Sequence, residues 1–431
     1  MLHSGFQERI LVQPVVHQPN PHVLATIMAS AGKRPIVADT DIVCAESGIK
    51  LLARGQIISE SHYDRLLPRR LTTAIEASLA PKTGVGPLAL LDTMRYVTGA
   101  YPGLARILQG YEGTLQALLA EVKLKSAVRL LLTAAMDRED GMFEHAVVVA
   151  LLAAALACRA QLPDASQALL LQGGLVHDIG EMYINPAYLT SKRELSTTEW
   201  LQVVSHPQVG ARVLIEIAGA PQKLAQLTLS HHERLNGMGY PQRLQGPALG
   251  KEAQILAMAE MIAPIITKGE EGLARAAFAL KLIAREFDPT LVGLVSTVAA
   301  GAPSSAGLQD AATIVHERVH EIAIQLRNAF HAAHALTQQQ LPRRVAELAE
   351  HYHEVLGTLR ASFNATGLME FCTTVATDAD AINAEAALSL ELVPREIRWR
   401  MRHLARDIAL AKRELSAEDQ AYFAALEIAL T

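Results

Sequence analysis

The chain has 431 residues, 50% of them hydrophobic, with 39 Lys and Arg against 44 Asp and Glu and a formal net charge of −5. That length suits about two or three domains with ample core; the composition argues against wholesale disorder, and the mild acidity leaves no electrostatic footprint for a DNA or RNA polymer or an anionic membrane. Aromatic residues are only 4%, so Ala, Leu, Val and Ile must build the core, a helix-forming mixture, and 16 His beside three Cys is the compositional oddity.

In chain order, the N-terminus (Met1-Leu2-His3-Ser4-Gly5-Phe6-Gln7-Glu8) lacks a charged start followed by an apolar stretch, so no secretion signal is expected. Arg34–Ala38, Asp41–Cys44 and Gly48–Leu52 predict short strands, and Ser59–Leu67 predicts a helix ended by Pro68. Residues 1–80 are therefore expected to form a small mixed α/β leader domain, followed by a helical connector over 81–141. Within 142–300 the helix signals are clearer. Pro163-Asp164 opens a helix, Gly173-Gly174 marks a close backbone approach, and Ser196-Thr197-Thr198-Glu199 is a capping box. Pro207 restarts or kinks a helix, and residues 237–250 form a Gly- and Pro-rich loop. The apolar run Ala146–Cys158 falls short of the roughly 20 residues a bilayer requires, so no membrane span is expected. Residues 302–307 read as a linker to a C-terminal helical region, 308–431, with helices over about 309–337, 342–362, 366–391 and 395–430. The fold class is thus mainly α. Cys44, Cys158 and Cys372 are far apart and odd in number, which fits a reducing, cytoplasmic setting.

Five polar clusters recur through the middle third: His145, His177-Asp178, His206, His231-His232 and Glu260. Imidazole and carboxylate are natural ligands for divalent first-row metals. A lone His on an apolar helix face is ordinarily a satisfied core residue, but here that reading would have to hold five times. A carboxylate bridging two metals, with histidines completing each site, accounts for the pattern more economically.

The flanking residues carry a resemblance. Gly174-Leu175-Val176-His177-Asp178-Ile179-Gly180 is similar to the HD motif of metal-dependent phosphohydrolases. His231-His232-Glu233-Arg234-Leu235-Asn236-Gly237-Met238-Gly239-Tyr240-Pro241 resembles the HHExxDGxGYP signature of the HD-GYP subfamily, and His206-Pro207-Gln208-Val209-Gly210 its HPxxG element. The resemblance covers about residues 142–300 and implies an all-helical domain around two divalent metal ions, usually iron or manganese. Carried over by position, His145, His177, Asp178 and Glu260 would hold one metal. Asp178 would bridge to a second, completed by His206, His231 and His232. Some members add a third through a Glu four residues before the first His, but that position is Gly141. The implied reaction is hydrolysis of a phosphodiester, chiefly cyclic di-GMP. Two metals about 3.5–4 Å apart activate a water and clamp the phosphoryl oxygens, with His177 and Asp178 at the centre of catalysis. The Gly239-Tyr240-Pro241 loop would border the ligand.

Four departures set this chain apart from that family. The usual phosphate-contacting Lys after HDxG is Glu181, and the expected Arg-Pro-Tyr-Arg element reads Gly269-Glu270-Glu271-Gly272. The last metal ligand, normally Asp, is Glu260, and Asn236 replaces the Asp of the GYP signature. The metal shell is kept while the phosphate shell is altered, with Glu181 beside the ligand's phosphates or turned away to solvent. Lys192, Arg193, Arg234 or Lys268 would be the replacement cations. Two functions follow: a phosphodiesterase of HD-GYP type, or a weak or inactive domain that senses nucleotide or scaffolds signalling proteins. The C-terminal helices would serve self-association or partner binding. His316-Glu317-Arg318-Val319-His320 matches the zinc-protease pattern HExxH, but its charged Arg318 and lack of a distal ligand argue against protease chemistry.

Overall fold

The computed structural model describes residues 18–190, 193, 195–269, 271–282, 285–300, 312–368 and 384–430. It is 70% helix and 4% strand, a mainly α protein. A helix not expected from the sequence, Pro21–Lys33, opens it; Asn20 caps it by accepting from the amides of His22 and Val23. This helix lies on the Ser126–Arg138 helix, where Asp137 accepts from Ser30 Oγ at 2.6 Å and from the Arg34 guanidinium at 2.6 and 2.7 Å. Two small antiparallel sheets follow. Ile36–Ala38 pairs with Leu79–Pro81 in the register Ile36 to Pro81 and Ala38 to Leu79, and Ile42–Val43 pairs with Lys50–Leu52. The Leu79–Pro81 strand had no sequence signal of its own. The expected helix over Ser59–Leu67 is a 3-10 turn, Glu60–His62, running into Tyr63–Leu66.

One continuous hydrophobic core runs from Val23 to Val295, so the divisions drawn from sequence at 80 and 141 lie inside it. At its centre is the helix Met142–Arg159, whose residues from Ala146 to Cys158 are all buried. At 18 residues and mean hydropathy 1.7 this helix exceeds the apolar run read from sequence and is long enough to cross a membrane; 78% of it is buried inside the fold, which makes it the core helix. It packs against Asp164–Val176 in backbone contact: a Cβ on Gly174 would lie 2.4 Å from Ala150 Cα. Small residues on both helices permit that approach. It sets His145, in the first turn of one helix, beside His177, at the end of the other, with ring centroids 5.2 Å apart.

A second core, from Leu282 and Val319 to Leu430, belongs to the C-terminal helices Ala312–Thr337, Arg343–Ala365, Ala384–Lys412 and Ala424–Leu430. The break expected between 391 and 395 is absent: Ala384–Lys412 is one helix with Pro394 inside it. The 302–307 linker lies outside the described residues. The two parts are joined by a buried ion cluster. Glu286 accepts from both terminal nitrogens of Arg400, one at 2.8 Å, and from Arg234 Nε at 3.2 Å.

Replacing Gly174 by Val should destabilise the protein by about 1–3 kcal/mol or more, because the new carbons meet backbone rather than a movable side chain. Gly113→Ala, on an exposed helix face with nothing within 4 Å, should be neutral to stabilising by up to about 1 kcal/mol. Urea unfolding of both variants checks the contrast, and equal midpoints would contradict it.

Candidate metal centre

Glycines at three backbone crossings assemble the site. The first is the Gly174–Ala150 contact. At the second, a Cβ on Gly180 would lie 2.0 Å from the His206 carbonyl oxygen and 2.7 Å from Gly210 N, so the turn after Asp178 is pressed onto the helix His206–Arg212. At the third, a Cβ on Gly239 would lie 2.4 Å from Glu233 Cα, which folds the 239–241 loop back over His231 and His232. Buried Glu233 fixes that loop by accepting from the amides of Gln242 at 2.6 Å and Leu244 at 2.9 Å. Asn236 performs the turn closure that an Asp would, its side-chain oxygen accepting from Met238 N at 3.1 Å.

The seven side chains singled out by sequence come together in two groups that share Asp178: His145, His177, Asp178 and Glu260, and Asp178, His206, His231 and His232. Asp178 Oδ2 faces the first, 2.9 Å from His177 Nε2 and 3.6 Å from His145 Nε2; Glu260 Oε2 lies 2.9 Å from His145 and 3.1 Å from His177. Oδ1 faces the second, 3.3 Å from His206 Nε2 and 3.4 Å from His231 Nε2.

The donor set fits metal ions. His177, His206 and His231 each direct Nδ1 at the carbonyl three residues earlier, at 2.8, 2.7 and 2.6 Å. That bond holds the proton on Nδ1 and turns the Nε2 lone pair inward, the usual support of a ligating imidazole. His206 Nε2 and His231 Nε2 then stand 3.0 Å apart, lone pair to lone pair in the neutral state. His177 Nε2 and Asp178 Oδ1 are buried without a properly aligned hydrogen bond. A shared cation resolves each conflict. Gly141, where a third-metal Glu would stand, caps the Met142–Arg159 helix at φ +88°, a conformation unfavourable for Glu.

The electrostatics follow the same division. Burial opposes ionisation of Asp178 and Glu260, yet the imidazole of His177 holds Asp178 well below the carboxylate range, and His145 and His177 do the same for Glu260. Burial pushes His177 down, but Asp178 and Glu260 outweigh it and raise it well above the usual imidazole value. Burial, helped by the neighbouring His177 and His206, pushes His231 down to about 4 despite Asp178. Glu181 is half-buried, and burial and then the Asp178 carboxylate raise it to about 7.

Tyr240 stacks on His232 at 4.6 Å and, on its other side, on His403 of the Ala384–Lys412 helix at 5.9 Å. Tyr240, His232 and His403 line a cleft of about 900 Å³ that also takes in Gly239, Glu260, Arg395 and Trp399. The helical contribution escaped the sequence reading, although five Arg between 395 and 406 were a visible signal. Of the four candidate replacement cations, Lys268 lines the cleft, Arg234 is committed to Glu286, Arg193 pairs with Glu199 at 2.8 Å, and Lys192 lies outside the described residues. Glu271 pairs with Arg275, and Glu270 lies outside the described residues. His320 is exposed on the Ala312–Thr337 helix, and the side chains of His316 and Glu317 fall outside the described residues.

Residues 142–264 match the family model of the HD domain. Over this stretch, under a third of its length, the chain is similar to HD domains. Among relatives, it is 34% identical over 125 residues to a "cyclic di-GMP phosphodiesterase" of Pseudomonas aeruginosa, covering 29% of this chain and 28% of that one. It is 33% identical over 119 residues to a "3'3'-cGAMP-specific phosphodiesterase" of Vibrio cholerae, covering 28% and 27%. The chain thus spans under a third of the length of these relatives. A solved "HDG"Y"P protein" of Bdellovibrio bacteriovorus is 17% identical with a TM-score of 0.33, covering 62% of this chain and 95% of that one.

Burial lowers His145, His177 and His206, but the neighbouring carboxylates outweigh it and raise them above the usual imidazole value, so a metal competes with protons for these rings. Metal binding should therefore release protons and tighten as pH rises through neutrality. Titration calorimetry in two buffers of different ionisation enthalpy checks this, and identical heats in both would refute it. Asp178→Ala should lose both ions, whereas His206→Ala should mainly weaken one.

Proposed function

We propose that the protein is a metal-dependent phosphodiester hydrolase acting on a cyclic dinucleotide, cyclic di-GMP above all, in bacterial second-messenger signalling in the cytoplasm. The observation that carries this reading is the division of the Asp178 carboxylate, one oxygen to each histidine group. Iron or manganese suits the mixed imidazole and carboxylate donors. When bound, such a pair supplies Lewis acidity toward a phosphoryl oxygen and activation of water. The protein's own residues provide the rest. His145, His177 and Glu260 hold one side, His206, His231 and His232 the other, and Asp178 fixes their separation. Tyr240, stacked on His232, sets the position of the ring that borders the cleft. The names of the relatives support the substrate class.

A second reading, a weakly active or inactive nucleotide sensor, is favoured by Glu181. Its carboxylate stands near Asp178, where a phosphate-contacting cation would be expected, and like charges repel by about 1 kcal/mol at 4 Å in water and several times that in a partly buried site. The protein purified without oxygen and loaded with iron or manganese should hydrolyse cyclic di-GMP, and Asp178→Ala should lower the rate at least about a hundredfold. No turnover by protein carrying two ions per chain would reject the hydrolase reading. In Glu181→Lys the repulsion becomes attraction, so KM for cyclic di-GMP should fall about tenfold or more; an unchanged KM would mean that Glu181 does not meet the phosphates.

A further inference from the structure

Glu181 stands near Asp178 where a phosphate-contacting cation would be expected, whereas the adjoining cleft carries exposed cations. Most charged groups along that cleft are already matched. Arg243 pairs with Asp407, Arg400 with Glu286 and Glu396, and Arg234 with Glu286. Arg398 reaches Glu321 at 3.5 Å on the surface. Arg395 and Lys268 are different: both are exposed, both line the cleft, and neither has an ion-pair partner among the described residues. The acids that share the cleft have partners of their own: Glu396 pairs with Arg400, Asp407 with Arg243, and Glu260 with His145 and His177.

The aromatic residues point the same way. The chain has two Trp, and both line this cleft. Trp200 is fixed by the edge of His403 at 5.8 Å and by the Arg406 guanidinium 4.5 Å above its ring. Trp399 is 50% exposed, backed by the Arg400 guanidinium at 5.0 Å and by His403 at 5.6 Å. Burial pushes His403 down to about 4, so it enters these stacks as a neutral ring. A large indole held open to a cleft has no packing role to explain it, while a base-stacking platform requires that presentation.

We propose that the Ala384–Lys412 helix, outside the HD domain, forms the ligand-binding wall of the site, with Trp399 as the stacking platform for a nucleobase and Arg395, joined by Lys268, as the cations for the phosphates. The inference rests on the hydrolase reading for the location of the reacting phosphate and extends it by naming what holds the rest of the ligand. The wall takes over the charge role vacated at Glu181 and at 269–272. It also selects ligands carrying both an aromatic base and a phosphodiester.

The test uses the full chain loaded with manganese, with cyclic di-GMP as the probe. Trp399→Leu and Arg395→Gln should each weaken calorimetric binding about tenfold, raise KM with kcat nearly unchanged, and leave metal content as in wild type. Arg395→Lys should recover most of the affinity. Both side chains are exposed, and an unshifted Tm confirms that the variants fold. Variants that bind as wild type does, or a wild type that does not bind, would overturn the proposal. Wild-type turnover with unaffected variants would remove the wall and leave the hydrolase standing. Binding that depends on Trp399 and Arg395 without turnover would do the reverse.

Discussion

The Asp178 carboxylate is the constraint from which the arrangement of the middle of the molecule follows. It is buried, it is ionised, and its two oxygens face different sets of imidazoles. A carboxylate in that position is tolerable only if several elements converge on it within about 3–4 Å, because the desolvation of an unmatched buried charge is severe. Convergence at that distance leaves no room for side chains at the crossings. Gly174, Gly180 and Gly239 each occupy a crossing at which one extra carbon would meet backbone at 2.4 Å or less. The motifs visible in the sequence are thus of two kinds. Some residues bind, and others clear space so that the binders can meet.

This division explains how much was legible in advance. The ligand-type residues other than Glu260, which lies inside the Lys251–Ile266 helix, could be named because they sit at or next to helix ends whose boundaries are written locally, by the Ser196–Glu199 capping box, Pro207 and Pro163. The loop from Gly237 to Gly250 was likewise evident from its Gly and Pro. The helix Pro21–Lys33 carries only Asn20 and Pro21 as a local start signal, with no acid in its first turn to reinforce them, so it was not legible beside the strand-like residues after Arg34. The continuity of Ala384–Lys412 through Pro394 was missed for a different reason. A proline normally argues for a break, and the packing of Val393, Ile397, Met401 and Leu404 against the second core overrides that preference. Which cations face the cleft was not legible, since Arg395 and Lys268 are 127 positions apart and nothing local marks them as neighbours of one cavity.

Charge is redistributed within the protein rather than lost. Glu181 sets an acid close to Asp178, so the surroundings of the metal groups are less welcoming to phosphate than a cation there would make them. The basic helix that begins at Arg395 restores positive potential further along the same cleft. In a confined, low-dielectric space such a displacement shifts the preferred position of an anion along the cleft instead of abolishing its binding. The His232, Tyr240 and His403 column connects the two regions mechanically, so the position of the helix and that of a metal-ligating ring are not independent.

The Glu286 cluster gives this HD domain a property that its fold alone would not. Two guanidiniums, one from each structural part, share one buried carboxylate. Severing such a cluster strands charge in the interior at a cost of about 3–5 kcal/mol, comparable to a large fraction of a domain's entire stability. The HD domain here is therefore not a portable module. Excised at its sequence boundary, it would keep Glu286 or lose it, and in either case Arg234, at the base of the loop that carries Tyr240, would be left mismatched. The loop that borders the cleft and the helix that walls it are thus tied to one buried charge, so neither can shift without the other.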